Sequence, residues 1–136
     1  MKHNIKPNHV GISVNNLDEA IAWYREILGF EVVERVMVDH IRCEIAVIRM
    51  GDFDIELFGH LDSKPQPADR LHPDDDMKTQ GTKHLCFSVE GLDAFMEEIT
   101  AKGVKIIIGP GEFAGNRFYY ICDNSGVLIE LNEKIK

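Results

Sequence analysis

The sequence predicts an α+β fold of two βαβββ modules in tandem, and three observations carry that reading. The segment HVGISVNNLDEAIAWY from His9 returns 75 positions later as HLCFSVEGLDAFMEEI from His84, an internal repeat long enough to be a structural unit. Within each copy the apolar spacing switches from the alternation of a strand to the three-and-four spacing of a helix. Each copy also closes alike, with DIELF around Glu56 answering LIELN around Glu130.

In the first copy Val10, Ile12 and Val14 alternate with His9, Gly11 and Ser13, as expected of a strand with one buried face. Leu17, Ile21, Tyr24 and Leu28 then recur at helical spacing, with Asp18 near the start, where a carboxylate meets free backbone N–H groups, and Gly29 as the stop. Strands are expected over 30–37, 41–50 and 53–58. The second copy repeats the plan: a strand from His84, and a helix carrying Leu92, Phe95, Met96 and Ile99 that opens at Asp93 and stops at Gly103. Strands over 104–109, 116–122 and 127–132 follow. The modules therefore span 1–60 and 83–136. Residues 61–82 between them are rich in proline and aspartate and lack periodicity, which reads as a linker or a lid over the site. Asp74, Asp75 and Asp76 read as a solvated charge run, since the spaced ligands of a calcium loop are absent.

Composition narrows the function. With 136 residues and 44% apolar content the chain suits one globular domain or two small modules. No apolar run is long enough for a membrane span or a secretory signal, which points to a cytoplasmic protein. Cys43, Cys86 and Cys122 lack paired spacing and are expected as reduced thiols. A net charge of −8 without a basic stripe argues against nucleic acid or an anionic membrane as partner and leaves a small-molecule substrate.

The chemistry is expected where the repeat places polar side chains on the strand faces turned away from the helices. His9 opens the first strand of one module and Glu56 lies in its last; His84 and Glu130 stand at the matching places in the other. If two mixed sheets curl around a shared concavity, two imidazoles and two carboxylates converge there, and a divalent cation would relieve the cost of desolvating them together. Two nitrogens and two oxygens suit zinc, nickel or cobalt, with manganese or iron as further options, better than copper(I) or calcium.

With these residues in place the sequence resembles the vicinal-oxygen-chelate superfamily of glyoxalases, bleomycin-binding proteins and dioxygenases. The resemblance is carried by HVGISV, LDEAIAWYREILGFEVV, DIELF, GTKHLCFSV, LDAFMEEITAKGV and RFYYICDNSGVLIEL. The order His, Glu, His, Glu is similar to bacterial glyoxalase I, whereas methylmalonyl-CoA epimerase usually has glutamine in second place. The resemblance implies a metal-dependent lyase or isomerase in which the metal polarises a carbonyl and Glu56 or Glu130 acts as base through an enediolate. Arg117, Tyr119, Tyr120 and His60 are the implied substrate contacts. Ser13 and His60 depart from the family, standing where bacterial glyoxalase I typically has an arginine and an asparagine that help bind glutathione. Cys86, two residues after His84, reads as a small core filler.

Three alternatives use the same scaffold. An acyl-CoA epimerase shares the proton-transfer chemistry. An extradiol-type dioxygenase would need iron and a three-ligand site, against which the second carboxylate counts. A metal-free drug-binding protein would not need the four donors. Relatives pair their modules within one chain or across two, and the unpaired edges of small sheets favour a homodimer.

Overall fold

The computed structural model describes residues 2–136 and contains two four-stranded mixed sheets, one in each βαβββ module. The chain divides into two compact units, the first ending at Lys64 and the second running Pro65–Lys136.

In the first unit the strands are β1 (His9–Ser13), β2 (Glu31–Val38), β3 (Cys43–Met50) and β4 (Phe53–His60), ordered β1-β4-β3-β2. β1 pairs parallel with β4, while β4–β3 and β3–β2 are antiparallel. A parallel neighbour needs a long connection, and here the helix and two further strands supply it. Helix α1 (Leu17–Trp23) opens at Asn16, whose side chain accepts from the Glu19 N–H at 3.0 Å. The capping role expected of Asp18 thus falls to Asn16, because Asp18 is taken by Arg35 of β2 at 2.6 Å. The last turn, Tyr24–Leu28, widens to π geometry and ends at Gly29, whose φ of 81° a residue with a Cβ would adopt only under strain. Ile12, Ala20, Tyr24, Ala46, Ile48, Ile55 and Leu57 form the core between helix and sheet.

The second unit repeats the order with β5 (Leu85–Ser88), α3 (Leu92–Ala101), β6 (Ile108–Phe113), β7 (Asn116–Cys122) and β8 (Leu128–Lys134), paired as β5-β8-β7-β6. Its core is Leu92, Met96, Ile99, Ile121, Ile129 and Leu131. The start of α3 is capped from a distance: Glu133 of β8 accepts from the N–H groups of Gly91 at 2.7 Å and Leu92 at 3.3 Å. Asp93, the expected cap, instead accepts from the Tyr119 hydroxyl and the Arg117 guanidinium, both at 2.9 Å. The strand expected over 104–109 lies later. A break in register between Ile108 and Gly111 carries it through Gly109–Pro110, an edge-strand place where proline's missing donor costs no ladder bond.

The segment 61–82, read as a linker or lid without periodicity, contains a helical turn at Ala68–Arg70 and a one-turn helix, α2 (Pro73–Asp76). The reading of the three aspartates as a solvated run holds for Asp74 and Asp75 and fails for Asp76, which is 1% exposed. Asp76 is instead ion-paired with Arg70 at 2.8 Å and Lys83 at 3.3 Å. Its backbone lies in a helical turn that points the carboxylate inward, an outcome that depends on register within the turn. No described helix is long and apolar enough to cross a membrane.

Candidate metal-binding pairs

Strand alternation sets the two faces of each sheet. In the first unit Ile12, Ala46, Ile48, Ile55 and Leu57 face the core, and His9, Val47 and Glu56 occupy the face free of the helix. His9 is a ladder member opposite Asp54, and its Nε2 lies 3.2 Å from Glu56 Oε2. The other ring nitrogen, Nδ1, is 2.6 Å from Asn8 Oδ1. With the proton on Nδ1 the lone pair of Nε2 is left toward Glu56, the tautomer a metal ligand requires. Next to this pair Asp54 is locked in a two-point bond with Arg49 at 2.7 and 2.8 Å. That guanidinium holds the Asp54 carboxyl below the usual carboxylate range.

The second unit gives the same pair by its own means. His84 Nε2 lies 3.1 Å from Glu130 Oε2. Tyr120, opposite Glu130 in the β7–β8 ladder, brings its hydroxyl to 3.4 Å from both Glu130 Oε2 and His84 Nε2. Its ring meets the imidazole edge to face at 5.0 Å and Phe118 at 5.7 Å. Burial, then the Glu130 charge, pushes the Tyr120 hydroxyl up to about 12, so it remains a proton donor at neutral pH. Cys86 lies opposite Glu130 in the β5–β8 ladder and is exposed, where a core filler had been expected. Partial desolvation of its sulfur against the sheet, then the Glu130 carboxylate, raises that thiol to about 11, so it is not a ready nucleophile.

The structure thus brings His9 to Glu56, and His84 to Glu130 and Tyr120. Among the described residues no group of three or more His, Cys, Asp or Glu side chains is assembled, and the expected four donors are present as two pairs. Arg117 and Tyr119 are not brought to the His84–Glu130 pair. They project from the opposite face of β7 and bind Asp93 at the start of α3, with Tyr119 only 6% exposed. Period-two alternation in RFYYIC was a signal that Tyr119 and Tyr120 part company. His60 ends β4, exposed, its Nδ1 accepting from the Asp62 N–H at 2.9 Å. Sequence reasoning left out Phe118, which joins the aromatic row beside His84, and Asp76, whose partners include the residue preceding His84.

A family model for the Glyoxalase/Bleomycin resistance protein/Dioxygenase superfamily matches residues 6–131. The chain belongs to this superfamily. It is 27% identical over 130 residues to the mitochondrial methylmalonyl-CoA epimerase of Bos taurus, covering 93% of this chain and 73% of that protein. Among solved structures, a glyoxalase family protein from Bacillus cereus superposes with a TM-score of 0.79 at 25% identity, covering 99% of this chain and 98% of that one. The fosfomycin resistance protein FosX of Listeria monocytogenes, solved with Mn(II) and a sulfate ion, shares the fold with a TM-score of 0.68. It is 16% identical and covers 96% of this chain and 93% of that one.

Proposed function

We propose that this superfamily member is a divalent-metal-dependent isomerase that moves a proton on a carbon next to a substrate carbonyl. The observation that carries the reading is the duplicated pair, an imidazole Nε2 within 3.2 Å of a carboxylate in one unit and within 3.1 Å in the other, each on a helix-free sheet face. Two imidazoles and two carboxylates form a donor set matched to a first-row divalent ion, so the residues fit the metal that superfamily members commonly hold. His9, Glu56, His84 and Glu130 would be its ligands, supplied by the units of one chain or of a homodimer. Bound there, zinc, nickel, cobalt, manganese or iron would supply Lewis-acid polarisation of a carbonyl oxygen.

The chain's own residues supply the rest. One of the two glutamates would accept the proton from the acidified carbon, and inversion of that centre needs a proton returned to its opposite face, from solvent or from the second glutamate's carboxyl. The Tyr120 hydroxyl, protonated at neutral pH, donates toward Glu130 and steadies that carboxylate. Ser13 and His60, in place of the arginine and asparagine expected of a glutathione site, favour a substrate other than a glutathione adduct. The likeness to methylmalonyl-CoA epimerase makes an acyl-CoA thioester the leading substrate class. Isomerisation of a hemithioacetal is the second reading, favoured by glutamate rather than glutamine at position 56.

The test is solvent deuterium exchange followed by NMR, on protein loaded in turn with Zn(II), Ni(II), Co(II) and Mn(II). Methylmalonyl-CoA and the methylglyoxal–glutathione hemithioacetal are offered separately. Metal-dependent deuterium incorporation at the carbon beside the thioester carbonyl is expected with the first. Incorporation with the hemithioacetal alone would shift the substrate class. No exchange with either substrate, in protein shown to bind metal, would overturn the isomerase reading.

A further inference from the structure

Asp76 and Asp123 are the two charged side chains buried to within 3% of full burial among the described residues. Asp123 is explained by its own turn, where its carboxylate accepts from the N–H groups of Ser125 and Val127. Asp76 reaches further along the chain. Its Oδ1 accepts from Arg70 Nε at 2.8 Å and from Lys83 Nζ at 3.3 Å, and its backbone carbonyl accepts from Lys83 Nζ at 2.6 Å. Lys83 also donates to the Thr79 carbonyl, and Arg70 uses its other arm on the Thr82 carbonyl at 2.7 Å. Residues 82 and 83 are therefore fastened, through side chain and backbone, to a one-turn helix and the turn before it.

The next residue is His84. Its counterpart His9 is a ladder member, held by pairing with β4 at Asp54, but the β5–β8 ladder begins only at Leu85. A histidine outside the ladder needs another device to fix its backbone, and the Asp76 cluster ends one residue before it. We propose that Asp76 is a positioning residue for His84: through Arg70 and Lys83 it fixes the chain at 82–83 and so aims the imidazole at Glu130 and Tyr120. Its consequence for metal binding rests on the reading of His84 as a ligand; its consequence for the ring's position does not.

Asp76→Asn keeps the size and removes the charge that draws both cations. Two measurements follow, at a temperature where circular dichroism shows the variant folded. Without metal, the nuclear Overhauser contact between the Tyr120 ring and the His84 imidazole, whose centroids lie 5.0 Å apart, is expected to weaken or vanish. With Co(II), calorimetric titration is expected to show binding weakened about 10-fold or more, the usual size of an outer-shell loss. The weakening should disappear when His84 is already alanine, because a general loss of stability would act in either background. Should Asp76→Asn not fold, Arg70→Gln, which removes the bonds to Asp76 and to the Thr82 carbonyl from a side chain one-third exposed, carries both measurements. An unchanged ring contact overturns the positioning role. A parent protein that shows the ring contact but binds no Co(II) overturns the metal reading and leaves the positioning role standing.

Discussion

The two modules share a blueprint and differ in how each secures its histidine and glutamate. In the first unit His9 sits inside a strand, and Glu56 faces Val47, an aliphatic residue that offers it no hydrogen bond. In the second, His84 stands just outside the ladder behind the Asp76 cluster, and Glu130 faces Tyr120, whose hydroxyl reaches both members of the pair. Glu130 is also the less exposed carboxylate, its side chain 20% accessible against 30% for Glu56. Duplication supplied the donor types twice, and neighbouring side chains gave each copy its own surroundings. Two His–Glu pairs equal on paper are therefore expected to be unequal in use.

Glutamine at each position would sharpen that inequality most. Glu56→Gln and Glu130→Gln remove a charge without changing shape. The one that serves as base should lose roughly 10²–10⁴-fold in turnover while still binding metal, the span general-base catalysis covers. The other should lose metal affinity first. Calorimetric Co(II) titration beside deuterium exchange separates the two outcomes, and equal losses in both variants would break the proposed asymmetry.

Core positions should behave oppositely, because there the modules are alike. Leu57 and Leu131 hold equivalent places in β4 and β8 and have no exposure. Truncating either to alanine is expected to cost about 2–5 kcal/mol by urea unfolding. A large difference between them would mean that the two cores carry unequal shares of the stability.

Acid should act on the second unit through Asp76. Burial alone would raise its carboxyl, but the Arg70 and Lys83 bonds outweigh that and hold it below the ordinary value of 3.8. A carboxyl depressed on folding adds stability that is complete above its unfolded pKa and is lost as pH falls through its folded one. The parent's melting temperature should therefore drop below about pH 4, and Asp76→Asn, which lacks the carboxylate that Arg70 and Lys83 hold down, should start lower and drop less steeply. Parallel curves would show that the cluster titrates outside this window. Asp54, held down by Arg49, places a similar but only partly buried group in the first unit, so some of the parent's acid sensitivity should survive in the variant.

Much of this architecture was legible because repetition and periodicity are local signals. The offset between His9 and His84 marks the modules, and strand alternation alone places each histidine and its glutamate on one face. The misses have a different origin. Caps drawn from distant strands, such as Glu133 on α3, depend on tertiary approach and leave no mark in the helix's own sequence. Asp76 is one of three identical neighbours, and only the register of a single turn decides which is buried. The resemblance implies Arg117, Tyr119 and Tyr120 alike as substrate contacts, but period-two alternation along β7 turns Arg117 and Tyr119 to the face opposite Tyr120.

Tyr120→Phe is the finest test of the comparison. It leaves the edge contacts with His84 and Phe118 in place and deletes only the hydroxyl, whose bonds at 3.4 Å are long and individually weak. Metal affinity should fall by no more than about 3-fold, which corresponds to less than 1 kcal/mol, below the usual net worth of a hydrogen bond to a charged group because the contact is long. Turnover should respond more if the hydroxyl steadies Glu130 while a proton is in transit, because a bond that tightens as charge redistributes contributes to the barrier rather than to binding. A fall in kcat with little change in Co(II) affinity would assign Tyr120 to the proton-transfer step and set the second module apart as the chemically active half. Equal, small effects on both would reduce it to a packing neighbour and leave the two halves distinguished only by how they hold their histidines.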